Sequence, residues 1–259
     1  MRYFLCLSYD GAAFCGWQIQ PSSPSVQACL EETLSRLLNR PVAVTGAGRT
    51  DTGVHAVNYV AHFDTDGPLP FEASDFIYKL NAMLPHGVAI ISVSEVPADQ
   101  HARFSAKRRE YTYFIHRKKD PFVRNYSWLC GYPQLDFEAM NKACQYLLGT
   151  HDFSCFEKTG GDNKTSICTV FEAYWEPYVP TLAQICHSER SEESNYWYFR
   201  ISADRFLRNM VRATVGTLIE VGRGKHSPEW VAELVEKGTR SEAGESVPGN
   251  ALFLNKVSY

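Results

Sequence analysis

The chain has 259 residues, 44% hydrophobic and 21% charged, a length and balance that exclude a disordered or fibrous polymer and allow one large domain or two smaller ones. Its net charge of −3 by itself argues weakly against nucleic-acid binding, and the distribution of charge says more. No apolar run approaches the roughly 18 residues of a membrane span, and Met1 to Leu7 is too short and too strand-like for a signal segment, so a cytoplasmic protein is expected.

Arg2 to Tyr9 alternates, with Tyr3, Leu5, Leu7 and Tyr9 on one face of a half-buried strand. Ser25 to Arg40 reads as a helix: Val26, Leu30, Leu34, Leu37 and Leu38 form its stripe, Ser25 caps it and Pro41 ends it. Val42 to Val44 is a short strand entering a Gly-rich loop, and Val54 to Phe63 is the strand leaving it. A helix over Ser74 to Leu84 stops at Pro85, and Val88 to Val93 is a strand. This β-α-β-β-α-β order is the split βαβ of a ferredoxin-like unit.

The order recurs downstream. Arg109 to His116 is an aromatic strand, and Asp136 caps a helix reaching Leu148. Strands follow at Ser166 to Tyr174 and Tyr196 to Ala203, then helices over Arg205 to Val221 and Glu229 to Lys237, then a strand over Leu252 to Val257. The expected architecture is therefore α+β, with two ferredoxin-like halves, residues 1–104 and 105–259. Their antiparallel sheets are expected side by side around a central basic cleft. The polar segment His187 to Ser194 interrupts the pattern and reads as a passive surface hairpin.

Charge is segregated. His101 to Arg124 carries eight Lys/Arg against two acids, and Arg200 to Lys225 carries six against two, while acids gather at Asp64 to Asp75 and Glu229 to Glu245. Two basic zones suit a phosphate-tracking surface, though a solvated charged face reads the same way by composition. The eight cysteines include no Cys-x-x-Cys pair and no zinc-finger spacing, so free, mostly buried thiols are expected, without a metal site.

The most informative segment is Gly46-Ala47-Gly48-Arg49-Thr50-Asp51-Thr52-Gly53-Val54-His55. It lacks the Lys-Ser/Thr of a P-loop and does not open a helix as a dinucleotide fingerprint would. Placed between two strands, it presents Arg49 and Asp51 at a sheet edge. On sequence physics alone, a hairpin in which Asp51 merely caps a turn is an equal reading.

This loop resembles the signature of the TruA family of tRNA pseudouridine synthases. Tyr9-Asp10-Gly11 with Gly16-Trp17-Gln18, Val26-Gln27, Asn81 with Leu84-Pro85, His101 to Ala106 with Tyr111-Thr112-Tyr113, Gly149 with His151-Asp152-Phe153, and Phe206 to Arg212 with Gly216 are similar to further family segments, in order along the chain. Ala251, where the family usually has glycine, and the 187–194 segment depart from the pattern. The resemblance implies Asp51 as the essential aspartate and Arg49 as the arginine that displaces the target base. It further implies Tyr111 as the tyrosine packed on the uracil and Arg212 as the basic partner of the carboxylate. It also implies a homodimer, no cofactor, and a tRNA substrate modified at positions 38, 39 and 40 of the anticodon arm. Arg208, Arg108 and Arg109 are placed beside them as phosphate-binding candidates, with Arg208 one turn before Arg212 on one helix face.

The chemistry is consistent with this set. Pseudouridine formation breaks N1–C1′, turns the uracil and rejoins it through C5, with no redox change and no water consumed, so a carboxylate beside the sugar suffices. Attack of Asp51 at C1′ and removal of a ribose proton both remain open. The competing readings are a synthase for another RNA site, a catalytically silent RNA-binding protein of the same fold, and a small-nucleotide enzyme, which the missing phosphate motif disfavours.

Overall fold

Four buried side chains on one face, Tyr3, Leu5, Leu7 and Tyr9, make Arg2–Tyr9 (β1) the central strand of the first sheet. The computed structural model of the chain describes residues 1–160, 164–181 and 195–259. It divides into two compact units, Met1–Arg108 with Phe253–Tyr259, and Arg109–Leu252.

In the first unit, Ser25 in an extended conformation accepts from the Ala28 N–H at 3.3 Å and starts helix α1, Val26–Leu38. The helix buries Val26, Leu30, Thr33 and Leu34 and ends at Asn39, whose φ of 51° is left-handed, two residues before Pro41. Strands Thr45–Gly46 (β2) and His55–Asp64 (β3), helix Ala73–Met83 (α2) and strand Val88–Val96 (β4) complete the segment. β1 runs antiparallel to β3 and β4, and β2 runs antiparallel to β3, so the order is β4-β1-β3-β2. Asn81 clamps α2 to β4 by donating to the Ile90 carbonyl at 2.9 Å and accepting the Ile90 N–H at 2.7 Å. Leu5, Leu7, Leu30, Leu34, Tyr59, Phe63, Phe76 and Leu80 are almost fully buried, each stabilising the fold by about 1.5–3 kcal/mol of transfer free energy.

The second unit holds most of Arg108–His116 (β5), Trp128–Leu129 (β6), Phe137–Cys144 (α3), Gly149–Asp152 (β7), Ile167–Pro177 (β8), Tyr196–Ala203 (β9), Met210–Gly222 (α4) and Trp230–Lys237 (α5). Asp136 caps α3 by accepting from Ala139 N–H at 2.8 Å. Its strands lie in the order β5-β9-β8-β7, all antiparallel. Tyr113, Ile115, Phe153, Phe156, Phe199 and Ile201 are buried, and of the thirteen residues of α4 only Arg212 and Glu220 are not.

The structure corrects several expectations. The sheets are not wholly antiparallel: the final strand, Leu252–Ser258 (β10), runs parallel to β3 through Phe253 opposite His55 and Leu254 opposite Ala56, and β6 runs parallel to β5. Parallel pairing requires a long return of the chain, and β10 comes from its far end. The helix expected over Arg205 to Val221 starts only at Met210, because Asn209 sits in the left-handed region with φ of 64°. Upstream, the Asp204 carboxylate captures the N–H groups of Arg205 and Thr169 at 2.7 and 2.8 Å. Arg208 therefore precedes the helix instead of lying one turn inside it. The short strand placed at Val42 to Val44 falls at Thr45–Gly46. The segment 187–194 lies outside the described residues. Among the described residues, no helix is long and apolar enough to cross a membrane.

Candidate active site

The Asp51 loop leaves β2 and returns on β3, and its backbone is held residue by residue. The Tyr59 hydroxyl donates to the Gly48 carbonyl and accepts the Gly48 N–H at 3.3 Å, while the Trp17 ring stacks on Tyr59 at 4.2 Å. Thr50 is buried, its hydroxyl 2.8 Å from the Tyr9 hydroxyl and its carbonyl accepting from Trp17 N–H at 3.2 Å. The carbonyl of Asp51 accepts from Val54 N–H at 3.1 Å, closing a turn. Gly16 explains how the neighbouring segment comes so near: its φ is 92°, and an added Cβ would lie 2.3 Å from the Thr50 carbonyl oxygen. With Gly48, Thr50 and Val54 fixed, the Asp51 carboxylate is presented half-buried from a rigid turn, and Arg49 beside it is exposed, its Nε donating to Gln18 Oε1 at 3.3 Å.

His55, just after the loop, is 1% exposed. Its Nδ1 accepts the Gly11 N–H at 3.0 Å, Asp10 Oδ1 lies 3.1 Å from the same nitrogen, and its ring stacks on Phe253 at 4.5 Å. This histidine braces the exit of the loop against Asp10-Gly11, and the sequence reading gave it no part.

In the second unit, Tyr111 of β5 is buried, its ring edge-on to Phe206 at 5.0 Å and 84°. Arg212, in the first turn of α4, is half-buried; its Nε donates to the Val247 carbonyl at 2.7 Å, and its own carbonyl accepts the Val247 N–H at 3.3 Å. The strand-like strap carrying Val247 lies directly on the helix. A Cβ on Gly216 would fall 1.7 Å from the Glu245 carbonyl oxygen, and Gly244 N–H donates to the Thr217 hydroxyl at 2.9 Å. Asn209 and Arg240 both donate to the Ser246 hydroxyl, at 2.5 and 2.8 Å, and the Tyr113 hydroxyl donates to the Pro248 carbonyl at 3.0 Å. Phe206 and Val247 were invisible as partners in the sequence: one reads as part of a helix, and the other acts through a backbone carbonyl that carries no residue signature.

The remaining candidates separate by exposure. Arg208 is exposed, and one of its Nη atoms lies 3.4 Å from the Gly160 carbonyl. Arg108 is half-buried at the start of β5. Arg109 is buried, with Nη1 donating to the Asp204 carbonyl at 2.7 Å. Much of the second basic zone is engaged internally: Arg223 and Lys225 both bind Glu220 at 2.7 Å, Arg223 lies 3.9 Å over the Tyr132 ring, and Arg200 is 3.7 Å from Glu110. Burial pushes the Cys130 thiol up to about 11 and the thiols of Cys155 and Cys168 up to about 12, so these three stay protonated and are poor nucleophiles. Among the described residues the cysteines are free.

A family model described as tRNA pseudouridine synthase matches residues 5–105 and 143–259. A tRNA pseudouridine synthase A of Bacteroides fragilis is 46% identical over 259 residues, covering 100% of this chain and 96% of that relative. One of Porphyromonas gingivalis is 45% identical over 258 residues, covering 100% and 97%. A tRNA pseudouridine synthase A 2 of Clostridium perfringens is 40% identical over 257 residues, covering 98% of each.

Proposed function

Because this chain belongs to the tRNA pseudouridine synthase family, whose members are isomerases converting uridine to pseudouridine, we propose that it acts at positions 38, 39 and 40 of the tRNA anticodon arm with Asp51 as the catalytic carboxylate. The observation that carries the assignment is the built loop. Tyr59 on Gly48, Tyr9 and Trp17 on Thr50, and the Asp51–Val54 turn hold one half-buried carboxylate in a fixed backbone, and a turn-capping aspartate needs no such scaffold.

Each remaining side chain has a part in this reading. The N1–C1′ bond breaks and the C5–C1′ bond forms, one proton leaving C5 and one being taken up at N1, so the sum is an isomerisation that needs neither redox cofactor nor water. Asp51 acts at the sugar, by attack on C1′ or by taking a ribose proton. Extracting the base from its stack costs a few kcal/mol, and Arg49, exposed beside Asp51, takes the vacated place. Tyr111, backed edge-on by Phe206, stacks on the uracil for about 1–3 kcal/mol. Arg212, its guanidinium plane set by the Val247 carbonyl, is the cation that keeps the carboxylate ionised against desolvation. Arg208 and Arg108 take phosphates, while Arg109 is held inward on the Asp204 carbonyl.

The fold reading belongs to the same proposal. Two ferredoxin-like halves, residues 1–104 and 105–259, are supported by the β4-β1-β3-β2 order of the first unit and the antiparallel β5-β9-β8 run of the second. A cytoplasmic homodimer completes it.

Asp51→Asn keeps the side-chain shape and removes the carboxylate. Purified Asp51→Asn is expected to bind a tRNA transcript as the wild type does and to form no pseudouridine at positions 38 to 40. Turnover above background in that variant overturns the catalytic assignment. Modification by the wild type at other positions only overturns the substrate site.

A further inference from the structure

Residues 117–127 leave the end of β5 and return to pair β6 alongside it, and this loop interleaves basic and aromatic side chains on its outside. Lys118, Lys119 and Arg124 are exposed, Phe122 is 75% exposed and Tyr126 is 45% exposed. The ring face of Phe122 is therefore open for stacking.

The loop is nonetheless well fixed. Its one acid, Asp120, is turned inward: Oδ1 accepts the Phe122 N–H at 2.8 Å and Oδ2 accepts from the Tyr196 hydroxyl at 2.7 Å, which together hold its carboxyl below the usual range against the cost of burial. Arg117 is also turned inward, onto the Tyr132 carbonyl. The two ends are tied by His116 Nδ1 to the Ser127 hydroxyl at 3.0 Å and by Cys130 N–H to the His116 carbonyl at 2.9 Å. The middle is tied by the Asn250 side chain to the Arg124 carbonyl at 3.3 Å. No acid among the described residues pairs with Lys118, Lys119 or Arg124. The groups left outward are three cations and two aromatic rings, Phe122 the more exposed of them, on a backbone that pays little ordering entropy on binding.

We infer that this loop is a second RNA-docking element, in which Phe122 stacks an unpaired nucleobase and Lys118, Lys119 and Arg124 contact the flanking phosphates. Cations tracking a backbone with an aromatic platform between them are the pattern by which single-stranded nucleic acid is held. A protein partner would meet an apolar ring ringed by three like charges, which only an acidic surface would match. The inference rests on the proposed tRNA substrate and specifies which part of the chain, apart from the Asp51 loop, grips it.

The test measures affinity for a tRNA transcript at several salt concentrations, melting temperature, and single-turnover rate at saturating enzyme, for wild type, F122A, F122W and the triple variant K118A/K119A/R124A. The triple variant is expected to lose about two from the slope of log affinity against log salt, since each phosphate contact contributes about 0.7–0.9. F122A is expected to bind about 5- to 100-fold more weakly at every salt, with the slope unchanged, and F122W to recover most of that loss. Melting temperatures and saturated turnover should match the wild type. An unchanged slope in the triple variant, or unchanged affinity in F122A, overturns the inference. Loss of F122A affinity that F122W does not recover points to a protein-like apolar contact and overturns the stacking. Failure of the wild type to form pseudouridine bears on the proposed function alone, because the binding comparison among variants is still read.

Discussion

Arg212 and Val247 are bonded to each other twice, Nε to the Val247 carbonyl at 2.7 Å and Val247 N–H to the Arg212 carbonyl at 3.3 Å. The first bond orients the guanidinium and the second seats the strap that offers the acceptor, so the direction of this charge is a property of the backbone of residues 244–248. An arginine held this way acts through its fixed plane as well as its charge.

Arg212→Ala is therefore expected to slow pseudouridine formation by about 100-fold or more, while tRNA affinity changes by less than about 10-fold. Arg212→Lys should recover little, because a lysine carries the charge without the Nε donor that fixes its direction. Single-turnover rates and binding constants for both variants decide the matter. A lysine variant with near-wild-type rate would show that charge alone is enough.

Gly216 should be intolerant of any side chain. A Cβ there would sit 1.7 Å from the Glu245 carbonyl oxygen, so either α4, which is almost wholly buried, or the strap tied to it must shift. Gly216→Ala should cost about 3 kcal/mol or more. Gly67→Ala, where an added Cβ meets nothing within 4 Å, should stay within about 0.5 kcal/mol of wild type. Urea unfolding of the two variants side by side measures the contrast. Equal midpoints would mean that the strap is loosely seated.

How far the sequence already carried this picture can be judged from single residues. Ser25 and Asp136 were readable as caps because a short polar side chain before an apolar stripe has one common use, and both accept the expected N–H. Tyr196–Ala203 was readable from composition and alternation. The helix before Met210 was overextended because Phe206 and Leu207 continue a helical spacing, and the reading could not weigh Asp204 capturing Arg205 N–H. The parallel pairing of β10 with β3 depends on contacts between segments far apart along the chain, which no local pattern encodes. In the proposed site, the sequence placed Asp51 and Arg49 together on one Gly-rich loop between two strands, and their roles came from the resemblance. The burial of Arg109 on the Asp204 carbonyl was not legible, since eight basic residues in a row of counts look alike until one is folded inward.

His62 should make the fold acid-sensitive. It is buried on β3, its Nδ1 accepts the Ala102 N–H at 3.1 Å, and its ring lies edge-on to His101 at 4.7 Å. Burial first, then the Arg2 and His101 charges, lower it to about 4, with Asp64 opposing, and His101 is lowered as well. Because the folded-state value lies below the unfolded one of about 6.5, the unfolded chain binds more protons between pH 4 and pH 6.5. Stability is thus complete above about pH 6.5 and declines as pH falls toward 4. The urea midpoint measured from pH 7.5 to pH 4.5 should fall steadily through this window, and His62→Gln should flatten the fall. A midpoint unchanged down to pH 5 would place these histidines in water.

Arg49 offers the sharpest test of the division of labour in the proposed site. Its side chain is exposed while its neighbours Gly48 and Thr50 are bound to Tyr59 and Tyr9, so Arg49→Ala should leave the loop and the Asp51 carboxylate where they are. What it removes, in this reading, is the group that fills the gap when the target base leaves its stack, a step costing a few kcal/mol that is smallest for a base already unpaired. Arg49→Ala should then be about 100-fold slower on a tRNA whose target uridine is paired and recover at least about 10-fold when the opposite base is changed to leave that uridine unpaired. Arg212→Ala, which in the same reading affects the carboxylate and not the base, should recover less than about 3-fold on the same substrate. Single-turnover rates of both variants on the two transcripts, each divided by the wild-type rate, give the comparison. Equal recovery would remove the distinction and leave Arg49 as one more phosphate contact.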